Sequence, residues 1–394
     1  MADAIVALNS GSTSLKFAAY SYDGESALGL LCRGLVDDIE ENPRFSVEDA
    51  ARSTLAEHAW GAGHAIDQAT ALHFALSWIE EHLTATVRGA GHRIVIGGTR
   101  FTDPTVIDDE VLTYLDSLVL VDASHLPYNI AGVRALAQAF PKLPQVACFD
   151  TSFHRTMPQV AQIYALPAKA RDAGVHHWGF HGISYDYISR QLPRFAPQAR
   201  RVVAAHLGGG ASVCAMLDGK SVETSMGFGA ISGLPMSTRC GDVPADALLY
   251  LLRSHVYDDA SLEKALYAES GLLGLSGLSE DMQVLESSDD PRAQAAVAYF
   301  VYSVTKYVGA YASVLGGLDA IVFTAGIGEH SIPVRAAICA KLEWLGLRLD
   351  EARNARHGPR ISSDDSSISA WVIPTDEELM IAQHTRALLP APKS

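Results

Sequence analysis

Apolar and polar positions first organise themselves in the stretch Ile5-Val6-Ala7-Leu8-Asn9-Ser10-Gly11-Ser12-Thr13-Ser14-Leu15-Lys16-Phe17. An apolar run, a small polar turn and a second mostly apolar run predict strand, tight loop, strand. The loop concentrates hydroxyls, an amide and a glycine, and a lysine follows. Glycine lets the backbone approach a ligand, and hydroxyls with N–H groups line an oxyanion. Taken alone, the stretch is either a phosphate-holding hairpin or an ordinary turn. It is not the usual phosphate loop, because it lacks GxxxxGK[ST] and no helix follows directly.

Further strands are predicted at Leu30–Leu35 and Arg44–Glu48. A helix is predicted from about Ala65 to His82, with Ile66, Ala69, Leu72, Leu76 and Ile79 on one face. In Gly91-His92-Arg93-Ile94-Val95-Ile96-Gly97-Gly98 an arginine enters a β-branched strand that stops at a glycine pair. Charge inside a strand is costly unless paired, so Arg93 is either functional or a salt-bridged or snorkelling side chain. An irregular loop around Ser124–Asn129 leads to a helix from about Ile130 to Phe140, then to a buried strand, Gln145–Phe149. Asp150 stands at the carboxyl end of that strand, a common ligand position in α/β folds and also a helix-capping position.

The second half repeats the opening theme. Val202–Leu207 reads as a strand, Gly208-Gly209-Gly210-Ala211 as a turn, and Ser212–Leu217 as the return strand. Two such units suggest an internal duplication. The loop Gly233-Leu234-Pro235-Met236-Ser237-Thr238-Arg239-Cys240-Gly241-Asp242 is too long and irregular for a simple turn. Helices follow at Ala245–His255 and from about Pro291 to Leu315, the second opened by Asp290-Pro291 and closed at Gly316-Gly317. Strand Ala320–Thr324 runs into Ala325-Gly326-Ile327-Gly328-Glu329, a strand–glycine loop–helix arrangement that cradles nucleotides elsewhere. Near the end, Trp371–Ile373 leads to a helix reaching about Leu388, where Thr375 and Glu378 fit a capping box. Acidic residues such as Glu377 are favourable in any first helical turn.

Bulk properties narrow the function. The chain has 394 residues, enough for roughly two or three domains. Its formal charge of -15 argues against nucleic-acid or anionic-membrane binding, so an anionic ligand depends on local arginines and lysines. Five scattered cysteines without a CxxC fit reduced thiols in the cytoplasm. No basic region precedes the first apolar run, so no signal peptide is expected. Tyr307–Gly328, the longest weakly charged stretch, is broken by Gly316-Gly317 and Asp319 and reads as helix end, turn and buried strand.

Nine blocks, in this order, resemble the acetate kinase family: NSGSTSLK, GHRIVIGG, CFDTSFHRTMP, GFHGIS, HLGGGASV, ETSMGF, GLPMSTRCGD, FTAGIGEH and IPTDEEL. They span residue 5 to about 380. The resemblance implies two duplicated α/β domains of the superfold shared by acetate and sugar kinases, heat-shock chaperone ATPases and actin (ribonuclease H-like), with a nucleotide cleft between them. It places a first domain at 1–150 plus a C-terminal helix at about 380–394, and a second, nucleotide-binding domain at 151–379. It implies Mg-dependent (or Mn-dependent) phosphoryl transfer between ATP and a short-chain carboxylate, giving ADP and an acyl phosphate. It also implies a homodimer.

The resemblance further implies roles. Arg93 and Arg239 flank the transferring phosphoryl group and the carboxylate, which suits arginine's permanent charge and planar fork. His181 bonds the phosphoryl oxygens and stabilises the transition state. Asn9 lies close to the metal, which Asp150 and Glu377 hold directly or through water. Ser12, Ser14 and Lys16 share the first hairpin with Asn9. His206, Leu207, Gly208, Gly209 and Gly210 approach the ATP phosphates. Asp281, Met282, Gln283, Gly326, Ile327, Gly328, Glu329 and His330 surround the adenosine. Val95, His125, Phe180 and Ala230 line the acyl pocket. The acceptor is already ionised at pH 7, so no general base is needed and direct in-line transfer without a phosphoenzyme is expected.

Several positions depart from the family pattern. Ile96 replaces a histidine, Gly209 an asparagine and Tyr185 a histidine; Gln283 stands for an arginine near the adenine, and His330 for an asparagine. Ser124-His125 and Gly229-Ala230 replace proline-containing pairs, which wets or enlarges the acyl pocket and keeps propionate or a slightly larger acid open. A sugar kinase of the same superfold would need an aspartate base, and two arginines fit a carboxylate better. An actin-like or sensor ATPase without a metabolite acceptor is the alternative of another class. A zinc-type site is not supported, since His176-His177 lacks partners at ligand spacing.

Overall fold

Strand β1 (Ala2–Ser10) is buried from Ala4 to Leu8 because it has a partner on each edge. It pairs antiparallel with β2 (Leu15–Tyr22) and parallel with β6 (Ala85–Ile94). A strand in that position reads as a continuous apolar run rather than an alternating one. The computed structural model describes residues 2–11, 13–23, 27–61 and 63–389.

The remaining strands of the first sheet are β3 (Gly29–Asp37), β4 (Arg44–Glu48), β5 (Thr54–Ala59), β7 (Thr105–Val106) and β8 (Gln145–Phe149). The sheet order is β5-β4-β3-β2-β1-β6-β8-β7. The second sheet contains β9 (Arg201–Leu207), β10 (Ala211–Leu217), β11 (Lys220–Thr224), β12 (Ala320–Thr324) and β13 (Ser369–Val372), in the order β11-β10-β9-β12-β13. The duplication is visible in this order. β3-β2-β1-β6-β8 matches β11-β10-β9-β12-β13 strand for strand, with two antiparallel pairings followed by two parallel ones in each.

The chain forms two units, Met1–Ser152 with Asp376–Ser394, and Phe153–Thr375. The family resemblance puts the return to the first unit near residue 380; it falls at Asp376, so Glu377 belongs to the first unit. In that unit, helix Gln68–His82 lays Ala71, Leu72, Ala75, Leu76 and Ile79 on Phe17, Val36 and Phe45. The helix starts later than its apolar rhythm suggests. Asp67 caps it through the Thr70 N–H, and Ala69 is exposed. Helix Glu377–Leu388 packs closely on β6 at Gly91, where an added Cβ would lie 2.0 Å from Thr385 Oγ1. In the second unit, Tyr185, Ile188 and Leu192 of helix Gly182–Phe195 pack on Val202, Ala204, Met216 and Val322.

Two local expectations change. The Ser124–Asn129 segment is not all loop, since a helix runs Leu126–Ala139 with His125 at its N-cap. The C-terminal helix is capped by Asp376, which accepts from the Leu379 N–H, rather than by Thr375 with Glu378. Among the described residues, no helix is long and apolar enough to cross a membrane.

Candidate active site

In the first unit, Arg93 pairs in register with Cys148, and Asp150 follows β8 directly, its N–H bonded to the Ile94 carbonyl at 2.9 Å. Both side chains therefore emerge where parallel strands end, the usual ligand side of an α/β sheet. Arg93 Nε donates to Asp150 Oδ2 at 2.9 Å, Nη2 donates to the same oxygen, and Nη1 reaches Asn9 Oδ1 at 3.3 Å. Asp150 is fully buried, yet its Oδ1 has no hydrogen-bond partner. A buried carboxylate oxygen without a donor is costly, and a cation there satisfies it.

Glu377 adds a second carboxyl from the first turn of its helix. Burial, helped by the Asp150 and Glu378 charges and opposed by Arg93 and Lys16, pushes it up to about 7. Burial works against the Arg93 guanidinium, but Asp150 and Glu377 hold it above its ordinary value. Among the described residues no group of three or more His, Cys, Asp or Glu could hold a metal. Two carboxylates suit a hard cation that keeps much of its water, and the unpartnered Asp150 Oδ1 fits that donor set.

Asn129, which carries no signal in the sequence, stitches this edge together. Its Oδ1 accepts from the Val95 N–H at 3.0 Å, and its Nδ2 donates to the Ser10 carbonyl at 2.8 Å. It thereby ties the end of β1, next to Asn9, to the chain just after Arg93. Val95 is buried. His125 is half-buried, with Nδ1 against Asp122 Oδ1 (3.0 Å) and Ser124 Oγ (2.8 Å). Asp122 is buried, and although burial raises its pKa, bonds from His125 and Ser124 hold it below its ordinary value. Ser14 is half-buried and Lys16 is exposed. Ser12 lies outside the described residues.

In the second unit, His181 is the N-cap of helix Gly182–Phe195 with φ +59° and ψ +24°. A non-glycine residue held left-handed costs about 1–3 kcal/mol, and such strain gathers at functional positions. His181 Nε2 and Arg239 Nη2 both face the Gly210 backbone; a Cβ added at Gly210 would sit 3.1 Å from each. The close approach of these two side-chain nitrogens thus favours glycine there. Arg239 Nη1 also donates to the Ala230 carbonyl at 2.7 Å. Phe180 and Ala230 are buried, and the Phe180 carbonyl faces His154 Nε2 at 2.9 Å.

His206 is buried and stacked on His181, with ring centres 4.2 Å apart and planes 21° apart. Its Nδ1 lies 2.9 Å from Ser184 Oγ. Gly208, Gly209, Asp281, Met282, Gln283, Gly326, Ile327 and His330 line one cavity of about 720 Å³. Ser237, from the Gly233–Asp242 loop, and Glu280, next to Asp281, share that lining, as do Glu286 and Ser331, which carry no signal in the sequence. His206, Leu207, Gly210, Gly328 and Glu329 lie off it. The Glu329 carboxylate holds the Ala325 N–H at 2.9 Å and the Thr375 N–H at 3.1 Å, which fixes the turn after β12.

Comparison with known proteins gives matches over nearly the whole chain. The Acetokinase family pattern matches residues 4–383. An acetate kinase of Nitrobacter hamburgensis is 46% identical over 389 residues, covering 98% of this chain and 96% of its own. A crystal structure of a propionate kinase from Francisella tularensis superposes with a TM-score of 0.90 at 32% identity, covering 98% of this chain and 100% of that one. The Porphyromonas gingivalis acetate kinase gives 0.86 at 31% identity, with 98% and 100% covered.

Proposed function

The chain belongs to the acetokinase family, and on that premise we propose that it moves a phosphoryl group reversibly between ATP and a short-chain carboxylate, acetate first, yielding an acyl phosphate and ADP. The observation that carries the reading is the convergence of His181 Nε2 and Arg239 Nη2 on Gly210. Two side-chain nitrogens beside one glycine backbone, one of them a permanent cation, suit the equatorial oxygens of a phosphoryl group in flight.

In this reading ATP occupies the cavity beside Gly208 and Gly209, with Met282, Gln283, Ile327 and His330 around its base. Arg93 and Arg239 screen the repulsion between two anions, and His181 donates to the transferring group. The acceptor carboxylate attacks in line, and positioning with charge stabilisation supplies most of the acceleration. Asp150 and Glu377, with Asn9 nearby, would hold Mg²⁺, which supplies a hard positive charge against the phosphate oxygens. Arg93 aims the Asp150 carboxylate by engaging only one of its oxygens.

Propionate is the second reading. The small Ala230 supports it, because a hydrophobic pocket discriminates one methylene by only about 1–3 kcal/mol. A homodimer is supported by helix Ala245–Arg253, which buries none of its residues and exposes Leu249 and Tyr250, with Tyr299 and Tyr302 also exposed. Cytoplasmic residence is supported by the five free thiols.

A hydroxamate assay with ATP, Mg²⁺ and acetate, propionate or butyrate tests the reading. Acyl hydroxamate from acetate or propionate is expected. Slow ATP hydrolysis with no hydroxamate from any acid would replace the kinase by a sensor ATPase.

A further inference from the structure

We infer that Tyr185 sets the tautomer of His181: acting through Ser212, it holds His181 with its proton on Nε2, the form that donates to a phosphoryl oxygen. The inference deepens the phosphotransferase reading, and its kinetic part rests on that reading.

Three side chains form one line of hydrogen bonds inside the second unit. Tyr185 Oη lies 2.6 Å from Ser212 Oγ, and Ser212 Oγ lies 2.9 Å from His181 Nδ1. Tyr185 and Ser212 are fully buried, so no solvent supplies an alternative partner. Burial drives the Tyr185 hydroxyl well above its ordinary pKa, and it keeps its proton throughout the working range. Of the two hydroxyls the phenol is the stronger acid, and so the better donor to the other. The phenol proton therefore needs an acceptor, and Ser212 Oγ is in reach. A buried hydroxyl proton left unpaired is costly.

Once Ser212 accepts from Tyr185, its own proton points along the remaining contact to His181 Nδ1. Nδ1 then accepts, and the neutral ring carries its proton on Nε2. Nε2 is the nitrogen that faces Gly210 beside Arg239 Nη2. Phosphoryl oxygens only accept hydrogen bonds, so the opposite tautomer would present a lone pair to an anion. The stacked His206 ring, its Nδ1 against Ser184 Oγ, keeps the imidazole plane in place. Tyr185 is thus a positioning residue, and it stands where the family pattern has a histidine.

The test uses the full-length protein with ¹⁵N-labelled histidine, His181 being assigned by its loss in His181→Gln. At pH 8 the wild type is expected to show an unprotonated Nδ1 and a protonated Nε2. In Tyr185→Phe the two nitrogen shifts should move toward each other as the second tautomer is populated. The same variant should lose about tenfold in kcat, less than the roughly hundredfold typical of deleting an oxyanion donor, with KM for ATP and acid within about twofold. Ser212→Ala should behave alike, and the double variant should lose no more than either single one, because both act through one chain of bonds. A wild-type His181 protonated on Nδ1, unchanged shifts in Tyr185→Phe, or additive losses would overturn the inference. A shifted tautomer with unchanged kcat would overturn its catalytic role. If the wild type makes no acyl phosphate, the kinase reading fails while the nitrogen shifts still decide the tautomer.

Discussion

Arg93 and Asp150 meet through one carboxylate oxygen: Nε and Nη2 both reach Oδ2, and Oδ1 is buried without a partner. A two-oxygen fork would satisfy the pair by itself. The one-oxygen arrangement leaves a lone pair for a cation. Asp150→Asn should therefore lower kcat by about a hundredfold or more and raise the Mg²⁺ concentration needed for half-maximal rate. Asn9→Ala, which removes only the longer Arg93 contact, should cut kcat far more than it lowers Tm. Mg²⁺ titrations and thermal melts of both variants check this.

Glu377 yields a prediction with a defined sign. Its pKa is raised in the folded chain to about 7, from 4.5. The folded state then binds the extra proton between those values, so without metal its contribution falls as pH rises from about 4.5 to about 7, by up to about 3 kcal/mol. In EDTA, Glu377→Gln should match the wild type in Tm near pH 4.5 and exceed it at pH 7.5. Added Mg²⁺ should shrink that gap.

Two histidines act the other way. Burial lowers His92 to about 4 and His154 to about 4, each from 6.5. Each stays neutral when folded while the unfolded chain takes up protons, so each removes roughly 3 kcal/mol of stability as pH falls from 6.5 to 4. The wild type should lose stability on acidification despite Glu377, and Glu377→Gln should lose more. His154→Gln should flatten the acid limb of a Tm-against-pH curve.

Gly210→Ala places a methyl group 3.1 Å from His181 Nε2 and Arg239 Nη2. Both are ends of adjustable side chains, so the fold should tolerate it, with Tm within a few degrees. kcat/KM should fall by more than about a hundredfold, because misplacing reacting groups by an ångström is that costly.

Local chemistry makes much of this legible. Helix Pro291–Leu315 is readable at both ends because Asp290 caps it and Gly316 terminates it at φ +68°. Arg93 and Asp150 stand out as charges attached to apolar strands. Strands β5 and β7 do not, since they are short, partly exposed edges held by their neighbours. The cap of helix Glu377–Leu388 is ambiguous in sequence because Thr375 and Asp376 are both suitable. Thr375 is occupied elsewhere, its hydroxyl with Ser184 and its N–H with Glu329. Asn129 and Glu286 carry no local signal, and Ser212 and Ser237 stand in recognisable blocks without a role of their own; only tertiary packing brings each to the functional residues of its own unit.

The first unit is discontinuous in the chain, and this has a consequence for biosynthesis. Its sheet is encoded before residue 152, but the helix that covers Gly91 and carries Glu377 is translated only after the whole second unit. Domains generally fold as units during synthesis, amino-terminal parts first. Here the order is inverted: the contiguous second unit can close on the ribosome while the first still lacks a wall. A nascent chain arrested at Thr375 would expose one face of β6, making it a natural client for chaperones that hold unfinished sheets.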